Sequence, residues 1–219
     1  MKNARFLYNL FDLDGTLTDP APGITASVAY ALEKLSRPVP DTETLKRFIG
    51  PPLVHSFKVY CGIEGEEAKT ALRLYRERFA AGGLYENKMY PGIDEVLKSI
   101  KAGGGRVILA TSKPEEFAAP ILEHFGLLKY FDFVAGNTLD EARPEKIQVL
   151  RHILENYPDI STDNAVMVGD RSYDALAAKQ IGIQTIGVLY GYGSKRELTE
   201  AGADMLAKSV KELGAMLAE

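Results

Sequence analysis

Apolar residues gather in short runs that stop abruptly at polar or glycine positions: Phe6 to Leu13, Arg106 to Ala110, Phe131 to Ala135, Ala165 to Val168 and Ile183 to Leu189. Runs of this length, rich in β-branched and aromatic residues, predict buried strands. Between them, Ile93 to Lys101, Pro114 to Phe125, Pro144 to Asn156 and Tyr173 to Gln180 repeat apolar positions at helical spacing. The alternation predicts βαβ units and an α/β fold whose parallel sheet is covered on both faces. Residues 18–87 break this rhythm. They hold three amphipathic helical patterns, GITASVAYALEKL, TETLKRFIGPPLVHSF with a break at Pro51-Pro52, and EEAKTALRLYRERFAA, and no strand. The expected organisation is a core of residues 1–17 and 88–219 with a helical insert, 18–87, after the first strand. Tyr90-Pro91-Gly92 marks the return to the core, and Gly103 to Gly105 a tight helix-to-strand turn.

Composition narrows the classes of partner. The chain has 219 residues, 46% of them hydrophobic, enough for a sizeable interior. A formal net charge of -4 and the absence of a Lys/Arg run argue against nucleic acid. Cys61 is the only cysteine, so an intrachain disulfide and a multi-cysteine zinc site are excluded. The apolar stretch in MKNARFLYNLFDLDGT is too short and too soon interrupted by charge for a signal peptide or membrane span. These features together lead us to expect a cytoplasmic protein with no membrane association.

Chemistry is expected beyond the carboxyl ends of the strands, where ligands bind in open α/β sheets. FDLDGTLTD places Asp12 and Asp14 two residues apart, so an extended backbone points both carboxylates to one side. Asp170, ending another run, would add a third acid to a small volume, which calls for a bound cation. Oxygen ligands without His or Cys favour Mg²⁺, and a nearby lysine then favours an anionic substrate. Plainer readings exist for each residue taken alone. Asp14-Gly15 is a hairpin signal, but no strand returns after it. An EF-hand loop beginning at Asp12 would put Leu17 where Gly is needed and Gly23 where Glu is needed. Asp170 and Asp174 suit a helix start, Thr111 a cap, and Lys146 a solvated first turn. Their coincidence at successive strand ends favours a site.

Four motifs, FDLDGTLTD, ILATSKP, the lysine of RPEK and VMVGDRSYDALAA, resemble those of haloacid dehalogenase superfamily phosphohydrolases, in particular the phosphoglycolate-phosphatase-like branch. They occur in the expected order along nearly the whole chain, and the tail IGVLYGYGSKRELTEAGAD is similar to that branch as well. The resemblance implies a Rossmann-like three-layer core carrying a small all-α cap. It implies that Asp12 is a nucleophile forming an aspartyl-phosphate, and that Asp14 protonates the leaving oxygen and then activates water. It further implies that Thr111 and Ser112 bind phosphate and that Lys146 supplies charge, with Arg143 as the alternative cation. Mg²⁺ would be held by Asp12, the Asp14 carbonyl and Asp170, with Asp174 binding a water of its shell or orienting a neighbour.

The same resemblance makes a small phosphorylated metabolite the expected partner, phosphoglycolate first, with 5'-nucleotides or pyrophosphate as alternatives. Ile24 stands where β-phosphoglucomutase carries a cap histidine, which favours transfer to water. In the insert, Arg47 is the candidate contact to a substrate carboxylate or second phosphate, or else a solvated arginine. Hinges are expected near Thr18 to Asp19 and Asn87 to Tyr90. A catalytically silent phosphate-binding module is the alternative of another class; it would not need the separate acid Asp14. No G-x-G-x-x-G follows the first strand, and no G-x-x-x-x-G-K-[ST] or G-x-S-x-G occurs.

Overall fold

A computed structural model describes residues 3–218. Two compact units emerge, one built from the chain up to Thr18 and from Met89 onward, the other from Asp19–Lys88. In the first, β1 (Tyr8–Phe11) is followed, after the excursion through the second unit, by α5 (Ile93–Ala102), β4 (Arg106–Pro114) and α6 (Glu115–His124). Then come β5 (Phe133–Asn137), α7 (Lys146–Asn156), β6 (Ala165–Gly169), α8 (Ser172–Ile181) and β7 (Gln184–Val188), and finally α9 (Lys195–Ala201), β8 (Met205–Ala207) and α10 (Val210–Met216). The second unit holds α1 (Ala21–Lys34), α2 (Thr42–Lys46), α3 (Leu53–Cys61) and α4 (Gly65–Ala80). Where the chain passes between units, β2 (Thr18–Asp19) and β3 (Lys88–Met89) form a two-stranded sheet.

The main sheet has six strands in the order β5-β4-β1-β6-β7-β8, every neighbouring pair parallel. Counted within the core this is the 3-2-1-4-5-6 order of Rossmann-like folds. β1 is buried at all four positions because it lies at the centre with helices over it. Its Tyr8 and Leu10 join Ile108 and Ala110 of β4 and Ala165 and Met167 of β6 in one cluster. Val149, Leu150 and Ile153 of α7 and Ala177 and Ala178 of α8 cover that face. α5 and α6 pack against β4, and α10 packs on α5. Leu10 is fully buried there, so Leu10→Ala should lower unfolding free energy by about 2–5 kcal/mol in urea titration, through lost transfer energy and the remaining cavity.

Several boundaries differ from the sequence expectation. β4 runs on to Pro114 rather than stopping at Ala110, with a register shift against β5 between those residues. α7 starts at Lys146, not Pro144, because Glu145 is the cap: its carbonyl accepts the Gln148 N–H at 3.0 Å, and its own N–H donates to Gln148 Oε1 at 3.0 Å. β8, α9 and α10 were not expected from periodicity. In the helical unit, the break at Pro51-Pro52 separates α2 from α3 as expected, with Gly50 at φ 102°. Phe48 and Phe57 meet edge to face with centroids 5.2 Å apart, and α1 packs along α4.

Candidate active site

β1 and β6 are neighbours, and β4 flanks β1 on its other side, so their carboxyl ends lie together where the strand order reverses. Asp12 and Asp14 follow β1, Thr111 to Lys113 end β4, and Asp170 follows β6. The turn after β1 is tight: the Leu13 carbonyl accepts N–H bonds from Thr16, Leu17 and Thr18 at 2.9–3.2 Å, and Gly15 donates to the Thr18 carbonyl at 2.7 Å. Gly15 has φ +80°, and a Cβ there would overlap the Asp170 carboxylate, so glycine is required on both counts. Asp14-Gly15 thus makes a turn that carries acids to the sheet end, not a hairpin.

Carboxylate oxygens of Asp12, Asp170 and Asp174 lie within 4.8 Å of one another, and all three residues are buried. Lys146, the first residue of α7, is buried rather than solvated. Its Nζ donates to the Ala110 carbonyl at 2.7 Å and lies 2.9 Å from Asp12 Oδ1 and 2.8 Å from Asp174 Oδ1. Neither of those two carboxylate oxygens receives a well-angled hydrogen bond. Asp174 occupies the first turn of α8 and accepts the Arg171 N–H at 3.2 Å, so the helix-start reading and membership of the cluster both hold.

Lys113 was missed as a site residue, although ILATSKP contains it. Its Nζ lies 2.8 Å from Asp14 Oδ2, with both side chains buried. The available signal was its two-residue spacing from Thr111, which on a strand sends both side chains the same way. Arg143 is elsewhere: its Nη2 donates to Glu115 Oε1 at 2.6 Å and its Nε to the Gly136 carbonyl at 2.9 Å. Of the two cations considered, Lys146 is the one among the acids. Thr111 is buried, its Oγ1 accepting the Lys113 N–H at 3.2 Å, and Ser112 is half-buried. Arg47 is exposed in the helical unit just after α2, and His55 is exposed on α3.

Burial governs the electrostatics. It raises the Asp14 carboxyl above its usual range despite Lys113, and it raises Asp170 well above that range, with Asp174 and Asp12 adding repulsion. Burial pushes Asp174 up to about 6 against the pull of Lys146. Lys146 would be lowered by burial, but Asp12 and Asp174 hold it above its ordinary value. Four buried carboxylates therefore face two buried ammonium groups. A divalent cation among them would favour the ionised form of each of these carboxyl groups. Asp14 Oδ1 and Asp170 Oδ1 are also buried without a hydrogen-bond partner among the described residues. An oxygen-preferring divalent metal fits this donor set, with Asp12, Asp170 and Asp174 as the side chains able to hold it.

Known proteins resemble this chain over most of its length. A 5'-nucleotidase of Pseudomonas aeruginosa is 43% identical over 200 residues, covering 90% of each chain. Phosphoglycolate phosphatase 1 of the same organism is 33% identical over 213 residues, covering 93% of this chain and 77% of its own. The crystal structure of a "predicted phosphatase" from Clostridium acetobutylicum superposes with a TM-score of 0.92 at 46% identity, covering 96% of this chain and 97% of that one. Residues 9–188 match the haloacid dehalogenase-like hydrolase family. With that match spanning every strand-end residue described above, the chain belongs to the haloacid dehalogenase-like hydrolases.

Proposed function

We propose that this hydrolase is a Mg²⁺-dependent phosphatase of small phosphate monoesters that works through an aspartyl-phosphate. The observation carrying the reading is the buried cluster of Asp12, Asp170 and Asp174, with carboxylate oxygens within 4.8 Å of one another, Lys146 set against it and Lys113 against Asp14. Asp12, Asp170 and the Asp14 carbonyl, with Asp174 beside them, would hold Mg²⁺, which would neutralise charge on the incoming phosphate. Asp12 is the nucleophile: an oxygen of its carboxylate bonds to phosphorus as the ester oxygen departs with the bonding pair. Asp14 gives that oxygen a proton, and later takes one from the water that attacks phosphorus and regenerates Asp12. Its burial supports this role, since a raised carboxyl holds its proton more readily near neutrality. Thr111, Ser112 and Lys146 bind the phosphate oxygens, where developing charge is stabilised by fixed donors.

The helical unit is assigned the choice of leaving group, with Arg47 as its candidate contact to a second anionic group. Phosphoglycolate is the substrate proposed first, supported by the phosphoglycolate phosphatase relative. Nucleoside 5'-monophosphates form the second reading, supported by the 43% identity to a protein named 5'-nucleotidase. Phosphate release from both classes, measured with Mg²⁺ and with chelator, tests the proposal. Turnover that survives chelation would overturn the metal requirement, and release from neither class would overturn the substrate assignment.

Asp14 has a sharper test. Asp14→Asn should reduce turnover of alkyl phosphates by about 10²–10⁴-fold, the usual contribution of general acid–base catalysis. The first half-reaction of p-nitrophenyl phosphate, whose leaving group departs without a proton, should be affected much less. Pre-steady-state bursts with the two esters separate these effects, and equal losses in both bursts would remove Asp14 from the acid role.

A further inference from the structure

The segment between β7 and α9, LYGYG from Leu189 to Gly193, takes no part in the chemistry described above, yet it surrounds Asp170. The Tyr192 N–H donates to Asp170 Oδ2 at 2.7 Å. A Cβ on Gly191 would overlap the Gly15 carbonyl and crowd Asp170, and one on Gly193 would overlap the Asp170 carbonyl. Only a side-chain-free backbone comes this close. The segment is fastened on both sides. The Leu189 N–H donates to the Ala207 carbonyl at 2.8 Å, and the Tyr190 hydroxyl donates to the Thr16 carbonyl at 3.0 Å. The Tyr190 ring meets Tyr90 edge to face with centroids 5.0 Å apart. Asp170 itself is fully buried, and its Oδ1 has no hydrogen-bond partner among the described residues.

One oxygen of Asp170 is therefore committed to the main chain and the other is available. Mg²⁺ takes oxygen ligands in a tight octahedron and is satisfied by one oxygen per carboxylate, whereas Ca²⁺ accepts six to eight ligands and readily uses both oxygens of a carboxylate. We infer that the Leu189 to Gly193 segment is a metal-selectivity device: by holding Asp170 Oδ2 it confines this carboxylate to one-oxygen ligation and so favours Mg²⁺ over Ca²⁺. Tyr192 acts through its N–H, Gly191 by permitting the approach, and Tyr190 by anchoring the segment; all three are positioning residues. This inference rests on the metal site proposed above.

The test measures binding rather than turnover. Mn²⁺ bound by the 219-residue chain is followed by electron paramagnetic resonance and displaced with Mg²⁺ and, separately, Ca²⁺. Gly191→Ala should shift the ratio of the two displacement constants toward Ca²⁺ by about 10-fold or more, in the range seen when an outer-shell partner of a metal ligand is lost. Tyr190→Phe, which removes one hydroxyl and no packing volume, should shift it in the same direction by a smaller factor and provides the decision if Gly191→Ala does not fold. A folded variant pair with the parent's ratio would overturn the inference while leaving the metal site intact. A parent protein that binds no Mn²⁺ would overturn the metal site and the inference together.

Discussion

Asp12→Asn will abolish turnover while leaving the fold in place. Asparagine keeps the shape of the side chain but cannot form the acyl phosphate, and loss of a sole nucleophile lowers kcat by roughly 10⁴-fold or more. The fold survives because the substitution keeps the side chain's volume and removes a charge that repels Asp14, Asp170 and Asp174. Lys146 keeps Asp174 Oδ1 at 2.8 Å and the Ala110 carbonyl at 2.7 Å. Phosphate release and thermal melting on the same preparations provide the check. Turnover within an order of magnitude of the parent's would sink the nucleophile assignment, and a collapsed melting temperature would show Asp12 to be structural.

Lys146→Met should differ in its effect on the fold, with a loss of both activity and stability. Methionine fills a similar volume but strands Asp12 and Asp174, and removing one member of a buried ion pair costs about 3–5 kcal/mol. The expected deficit, read by urea unfolding in chelator, depends on pH. Asp174 sits at about 6, above its ordinary value of 3.8. Between those values the native protein binds more protons than the unfolded chain, so this group makes metal-free stability fall as pH rises and level off above 6. Without Lys146 the carboxylates are harder still to ionise, and the same fall extends to higher pH. The difference between parent and variant should accordingly be larger at pH 8 than at pH 5. Added Mg²⁺ should restore part of the lost stability at pH 8. A deficit that does not change with pH would show that Lys146 supports the fold by packing alone.

The parallel sheet was readable because β1, β4, β5, β6 and β7 each contain a dense apolar run, the direct result of being buried on both faces. β8 has three residues and α9 and α10 seven each, lengths at which periodicity has nothing to repeat. The overrun of β4 was hidden for another reason. Thr111 to Lys113 are polar, so the hydrophobic pattern ends while the backbone stays extended. Asp12, Asp14 and Asp170 stood out in the sequence because acids at the ends of apolar runs conflict with burial. Lys113 was obscured because a lysine near a strand end is normally solvated, and only the folded chain brings it to Asp14. Asp174 is set apart from Asp12 and Asp170 in the sequence reading, as a residue inside the helix that follows. α8 begins so soon after β6 that its first turn brings the carboxylate back among them.

The centre of the sheet also sets an order of events in synthesis. Tyr8 of β1 pairs with Arg106 on one side and Ala165 on the other, so this strand must await partners made much later. At roughly 5–20 residues per second, Ala165 follows Tyr8 by about 8–30 s. During that interval the contiguous segment Asp19–Lys88 is already complete and contains all of its own helices. β1, meanwhile, is an apolar strand with two unpaired edges until β4 emerges and one until β6 does, the kind of segment that pairs with the wrong chain. The nascent strand is therefore most open to mispairing before β4 emerges.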